Sequence, residues 1–136
     1  MKNHPLVFLV TAALLLLPLA GATHAHHGFV AWFDMTRSIM VKGTVTSLEW
    51  TNPHAYIYLD AKDEKGAIEK WSGELTGIGM LARAGWRRDT VKPGDQITLI
   101  GKRAKDGKPV MLLDKVVLAN GQELPASNAG AAEAAK

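Results

Sequence analysis

The stretch MVKGTVTSLEW, residues 40–50, decides the reading of this chain. Val41, Gly43 and Val45 alternate with Lys42, Thr44 and Thr46, the period of a strand with one face turned to a core. At Leu48 and Trp50 the apolar residues change parity, which a bulge or bend near Ser47 would produce. A long, bent first strand is what a sheet needs in order to curl. The neighbouring segments repeat the theme.

Downstream, Thr51-Asn52-Pro53 is turn chemistry. HAYIYLD, residues 54–60, then predicts a second strand with Ile57 and Leu59 opposed to Tyr56 and Tyr58. The run from Lys62 to Gly66 is a polar hairpin loop, and residues 67–75 form a third strand with Ile68, Trp71 and Leu75 buried or half-buried. Thr76 is placed to cap a short helix over residues 78–84, which Gly85 ends in the left-handed conformation. Lys92-Pro93-Gly94-Asp95 turns the chain into a fourth strand, residues 96–103. A second hairpin at Lys105 to Lys108 leads to a fifth strand, residues 110–118, interrupted at Asp114-Lys115. Three strands, a helix and two strands, with Gly in the first and fourth, predict an all-β fold with one short helix, a small five-stranded OB-like barrel. An open meander and a small sandwich are the competing architectures.

Upstream, one positive charge at Lys2 precedes an unbroken apolar run, LVFLVTAALLLL, residues 6–17, which Pro18 ends. Its length suits the core of a signal peptide and falls short of the roughly 20 residues that span a bilayer. Small residues follow, with cleavage sites after Ala22 or Ala25. The expected organisation is a signal peptide over residues 1–25, an N-terminal arm over 26–38, the barrel over 39–124 and a disordered tail over 125–136. Export to the periplasm or beyond follows, with no membrane span in the mature form.

Composition narrows the function classes. The 136-residue chain holds no cysteine, which excludes disulfides, thiolate metal sites and a thiol nucleophile. Its formal charge of +3 falls to +2 once Lys2 leaves with the signal peptide, too little to imply nucleic acid or an anionic membrane as partner. No nucleophile–base pair or phosphate loop is visible, so binding is expected in preference to catalysis.

Histidine carries the sharpest chemistry. His26 and His27 stand at or near the new N-terminus, preceded by His24 if cleavage follows Ala22, and His54 opens the second strand. Cleavage after Ala25 gives His26 both an amine and a ring nitrogen, a set that with His27 and His54 suits a transition metal, copper(II) foremost. The plainer reading makes His54 a turn residue and the pair a solvated spacer. Among the carboxylates, Asp34, Glu49, Asp60 and Glu74 lie near strand ends as oxygen ligands or bases, with a solvated face the default for each and Glu74 the first to test. Tyr56, Tyr58 and Trp71 offer an aromatic platform. Trp86, Arg87 and Arg88 offer a second surface for a carboxylate or an acidic partner, so a metal-free protein that binds a ligand or a periplasmic partner is the alternative function.

Ala25-His26-His27-Gly28-Phe29, Phe33-Asp34, Gly43-Thr44-Val45, Glu49-Trp50-Thr51-Asn52-Pro53-His54, Gly85-Trp86-Arg87-Arg88-Asp89 and Lys92-Pro93-Gly94-Asp95 together resemble a widespread family of small exported bacterial proteins of unknown function. The resemblance spans the mature domain. It implies an OB-like periplasmic or secreted protein, carries over no catalytic residue, and points to the His26-His27 and Asn52-Pro53-His54 segments as one functional surface.

Overall fold

The computed structural model describes residues 25–135, with side chains from Gly28 onward. The chain divides into two units, residues 1–31 and 32–136. Of the first, the described part is most of helix α1 (Ala25–Trp32). The second unit holds β1 (Phe33–Glu49), β2 (Tyr56–Lys62), β3 (Ile68–Glu74), α2 (Ile78–Arg83), β4 (Gln96–Ala104), β5 (Val110–Val117), β6 (Glu123–Pro125) and α3 (Asn128–Ala134).

The strands form one sheet in the order β3-β2-β1-β4-β5-β6, antiparallel throughout that order, and a parallel pairing of β3 with β5 closes five of them into a ring. β1 makes the ring possible because it serves two neighbours in succession. Residues 38–44 pair with β4 and residues 44–49 with β2, so Thr44 is bonded into both ladders. The β1–β2 register shifts between Val45 and Ser47, where the apolar parity of the sequence changes. A comparable shift in β4–β5 leaves Asp114 as the extra residue, at the interruption read from Asp114-Lys115.

Alternation sorts the side chains as the sequence predicts. Ile57, Leu59 and Ala61 on β2 are buried together with Val45, Ile97, Leu99, Met111, Leu113 and Val116, while Tyr56, Tyr58 and Asp60 face outward. Leu81 of α2 joins this core. Gly101 on β4 lets the next strand pass close by: a Cβ there would lie 2.1 Å from the Leu112 carbonyl oxygen.

Several expectations are corrected. β1 begins at Phe33, inside the stretch assigned to an arm, and Phe33 is buried. Phe33 pairs with Ala104 and Ser38 with Lys102 of β4, so pairing fixes the two ends of this segment while the register shifts across residues 34–37, whose side chains do not alternate. A sixth strand joins the five expected, and α3 occupies part of the tail assigned to disorder: the Ser127 hydroxyl caps α3 by accepting from the Gly130 N–H. Thr76 does not cap α2. The Ile78 N–H instead donates to Asn52 Oδ1 at 3.3 Å, so the turn before β2 supplies the cap. Ile68 is exposed. Gly85 does end α2 with a positive φ of 93°, as its position predicts.

Candidate functional site

The loop between β1 and β2 carries Asn52, joined to Pro53 by a cis peptide bond, and His54. Beyond the loop the chain pairs at once with the end of β3. The Leu75 N–H donates to the Ala55 carbonyl at 2.9 Å and the Ala55 N–H to the Thr76 carbonyl at 3.3 Å. This extension brings His54 alongside Glu74, with Nδ1 2.5 Å from Oε1. The imidazole is about one third exposed, at 34%, and the carboxylate is more enclosed at 15%. A carboxylate that accepts from Nδ1 fixes the tautomer, so that in the neutral ring the lone pair belongs to Nε2. Carboxylate–imidazole pairs of this kind orient metal-ligating histidines.

Glu74 belongs to a wider outward face. The registers place Glu49, Tyr56 and Glu74 in one row across β1, β2 and β3, with Ser47, Tyr58 and Ser72 in the next. The two tyrosine rings stack with centroids 6.5 Å apart and planes 28° apart. Tyr58 donates its hydroxyl to Glu49 at 3.2 Å. Partial burial raises the pKa of Tyr58 above its ordinary value, and the hydrogen bond to Glu49 and its negative charge add to the effect. Burial likewise raises Tyr56, assisted by the charges of Glu74, Tyr58 and Glu49. Both phenols therefore hold their protons further into the alkaline range than a free tyrosine does.

Beside Tyr58 runs an open trough of about 540 Å³ that extends over Asp60 and Lys70, whose charged groups lie 3.8 Å apart. Sequence reasoning missed its two serines, Ser47 and Ser72. The available signal was a small hydroxyl residue two positions before Glu49 and another two before Glu74, but using it requires the strand register.

The remaining candidates disperse. Trp71 faces inward opposite Leu59, is 6% exposed, donates its ring N–H to Glu69 at 2.8 Å and lies under the Arg103 guanidinium. It does not share the tyrosine platform. Trp86 is 1% exposed and donates its ring N–H to the Pro125 carbonyl at 2.7 Å, so it is a core residue and offers no ring to a ligand. Arg87 and Arg88 are exposed on a turn closed by the Arg87 N–H to the Thr90 hydroxyl at 2.7 Å. Asp34 is occupied locally: hydrogen bonds from Thr36 hold its carboxyl below the usual carboxylate range.

His26 and His27 fall within α1, but their side chains lie outside the described residues, as do residues 1–24 with the cleavage site after Ala22, whereas the Ala25–His26 bond, the other cleavage site, falls at the start of α1. Among the described residues, no three His, Asp or Glu side chains are grouped to hold a metal ion, and no helix is long and apolar enough to cross a membrane.

The sequence model of a family of unknown function (DUF6152) matches residues 13–112. No curated protein matches the chain.

Proposed function

The chain belongs to DUF6152, and from that premise we propose that it is an exported binding module for a transition metal, copper foremost, with His54 as a ligand. The observation that carries this reading is the 2.5 Å contact between His54 Nδ1 and Glu74 Oε1. An imidazole oriented through one nitrogen presents the other in a fixed direction. Copper(II) stands highest in the divalent affinity order and favours imidazole nitrogen. Export is supported by the apolar run of residues 6–17 and the small residues after it, with the periplasm the destination. His26 and His27 are the other imidazoles the sequence offers as ligands.

Titration of the processed protein with Cu(II), followed by calorimetry, tests the reading. Saturable binding tighter than that of an unstructured histidine peptide is expected. His54→Ala abolishes that advantage, and a His26→Ala/His27→Ala double variant reports whether the N-terminal pair contributes. Glu74→Gln lowers the affinity by about 10- to 100-fold, the usual effect of removing an orienting partner. Wild-type affinity equal to that of the peptide, or indifference to His54→Ala, would refute the assignment.

A further inference from the structure

The trough beside Tyr58 has a lining that selects among ligands. Ser47 on β1 and Ser72 on β3 stand opposite Tyr58 in register, so the ring is flanked by two of the smallest polar side chains. Thr46, at the register shift of β1, adds a third hydroxyl. Aliphatic hydroxyls both donate and accept, which suits a partner that itself offers hydroxyl groups. The volume, about 540 Å³, lies within the range of small-molecule sites, about 300–1,000 Å³.

Charge decides the class of occupant. Asp60 accepts only and Lys70 donates only, and at 3.8 Å apart their charges offset each other. An anionic ligand would meet Asp60, and a cationic one would meet Lys70. A neutral polyol engages both, using an O–H toward the carboxylate and an oxygen lone pair toward the ammonium. A strand of nucleic acid could stack its bases on tyrosine, but its phosphates would run past Asp60, Glu49 and Glu74 on the same outward face. The stacked Tyr56 carries the aromatic surface on from Tyr58 into the next row, giving a platform longer than one ring.

We infer that this outer face of β1, β2 and β3 binds a neutral oligosaccharide, with Tyr58 as the surface on which a sugar ring stacks and Asp60 and Lys70 as its hydrogen-bonding pair. The site is independent of the metal reading, since neither His54 nor any metal takes part.

The test uses the purified protein, ¹⁵N-labelled, in the presence of EDTA, so that failure of the copper assignment leaves it unaffected. Cellohexaose, maltohexaose and chitohexaose are titrated separately and followed by amide chemical shifts. Saturable binding of at least one is expected, with shifts centred on Ser47, Tyr58 and Ser72. Tyr58→Ala removes the stacking surface, and Ser47→Arg fills the trough from an exposed position. Each weakens binding at least tenfold while the remaining spectrum stays that of the folded protein, and Tyr58→Phe keeps most of the affinity because it keeps the ring. Absence of saturable binding by all three sugars overturns the inference. So do shifts that map elsewhere, or tighter binding of oligothymidylate or polygalacturonate than of any neutral sugar.

Discussion

Replacing Trp86 by alanine tests whether a residue set among charges in sequence belongs to the core. The side chain is 1% exposed and its ring N–H is bonded to the Pro125 carbonyl, which ties the turn after α2 to β6. Emptying a buried tryptophan site costs about 3–5 kcal/mol, a figure that includes the cavity left behind. Loss of the donor leaves the Pro125 carbonyl to find water, worth about a further 1 kcal/mol. For a domain of this size 1 kcal/mol lowers Tm by about 4 °C or more. Trp86→Ala should therefore lower Tm by about 16 °C at least, measured by circular dichroism with urea unfolding as an independent check. Arg87→Ala and Arg88→Ala, one and two positions away and exposed, should each stay within about 0.5 kcal/mol of wild type. A Trp86→Ala variant that melts within about 4 °C of wild type, or arginine variants that lose as much as it does, would overturn the stabilising role of Trp86 in the core.

The chain has only two tyrosines, so absorbance at 295 nm titrates Tyr56 and Tyr58 alone. Both should ionise above the ordinary value of 10.0, and Glu49→Gln should move the Tyr58 step back toward it by removing the charge that opposes phenolate formation. Because the folded state holds these protons more tightly than the unfolded state, their contribution to stability is complete below pH 10.0 and declines as the pH rises above it; urea midpoints across that window check the sign. Gly101→Ala should destabilise by at least the upper end of the usual overpacking range, about 3 kcal/mol, because the atoms its Cβ would meet are backbone atoms of Leu112 and Leu113. Gly79→Ala, exposed in α2 with open space around it, should instead stabilise by roughly 0.5–1 kcal/mol, and chemical denaturation of the two variants reads the contrast.

What could be read from the sequence was what local chemistry determines. Alternation in MVKGTVTSLEW and HAYIYLD sorts side chains to two faces, and the change of parity near Ser47 marks the register shift of β1. Gly66, Gly85, Gly94 and Gly107 all take positive φ where the sequence predicts turns or a helix end. The rest depends on which segments meet. The start of β1 has no alternation to announce it, since Met35, Thr36, Arg37 and Ser38 are all exposed and pairing with β4 fixes the segment only at its ends, Phe33 and Ser38. Arg87 and Arg88 make Trp86 look like part of a surface in sequence, whereas its ring is buried after the turn at Gly85.

The site shows the same division. His54 and Glu74 each stand out in sequence, but their contact depends on the pairing of Ala55 with Leu75 and Thr76, which neither residue signals. Ser47, Tyr58 and Ser72 become one row only when three strands are aligned. The interruption at Asp114-Lys115 was legible. Its link to Lys102 at 3.3 Å, in a cluster with Ser38, was not, because those partners come from β4 and β1.

The parallel contact of Ser72, Gly73 and Glu74 with Val110, Met111 and Leu112 governs how the chain reaches this structure. It joins segments nearly forty residues apart, with α2 and all of β4 between them. Such a contact forms only after a long intervening loop has been ordered, and proteins dominated by distant pairings fold in milliseconds to seconds, more slowly than helical bundles. Until residue 112 is available, β3 keeps an open edge able to pair with another molecule. Ring closure is therefore the step at which folding and aggregation compete.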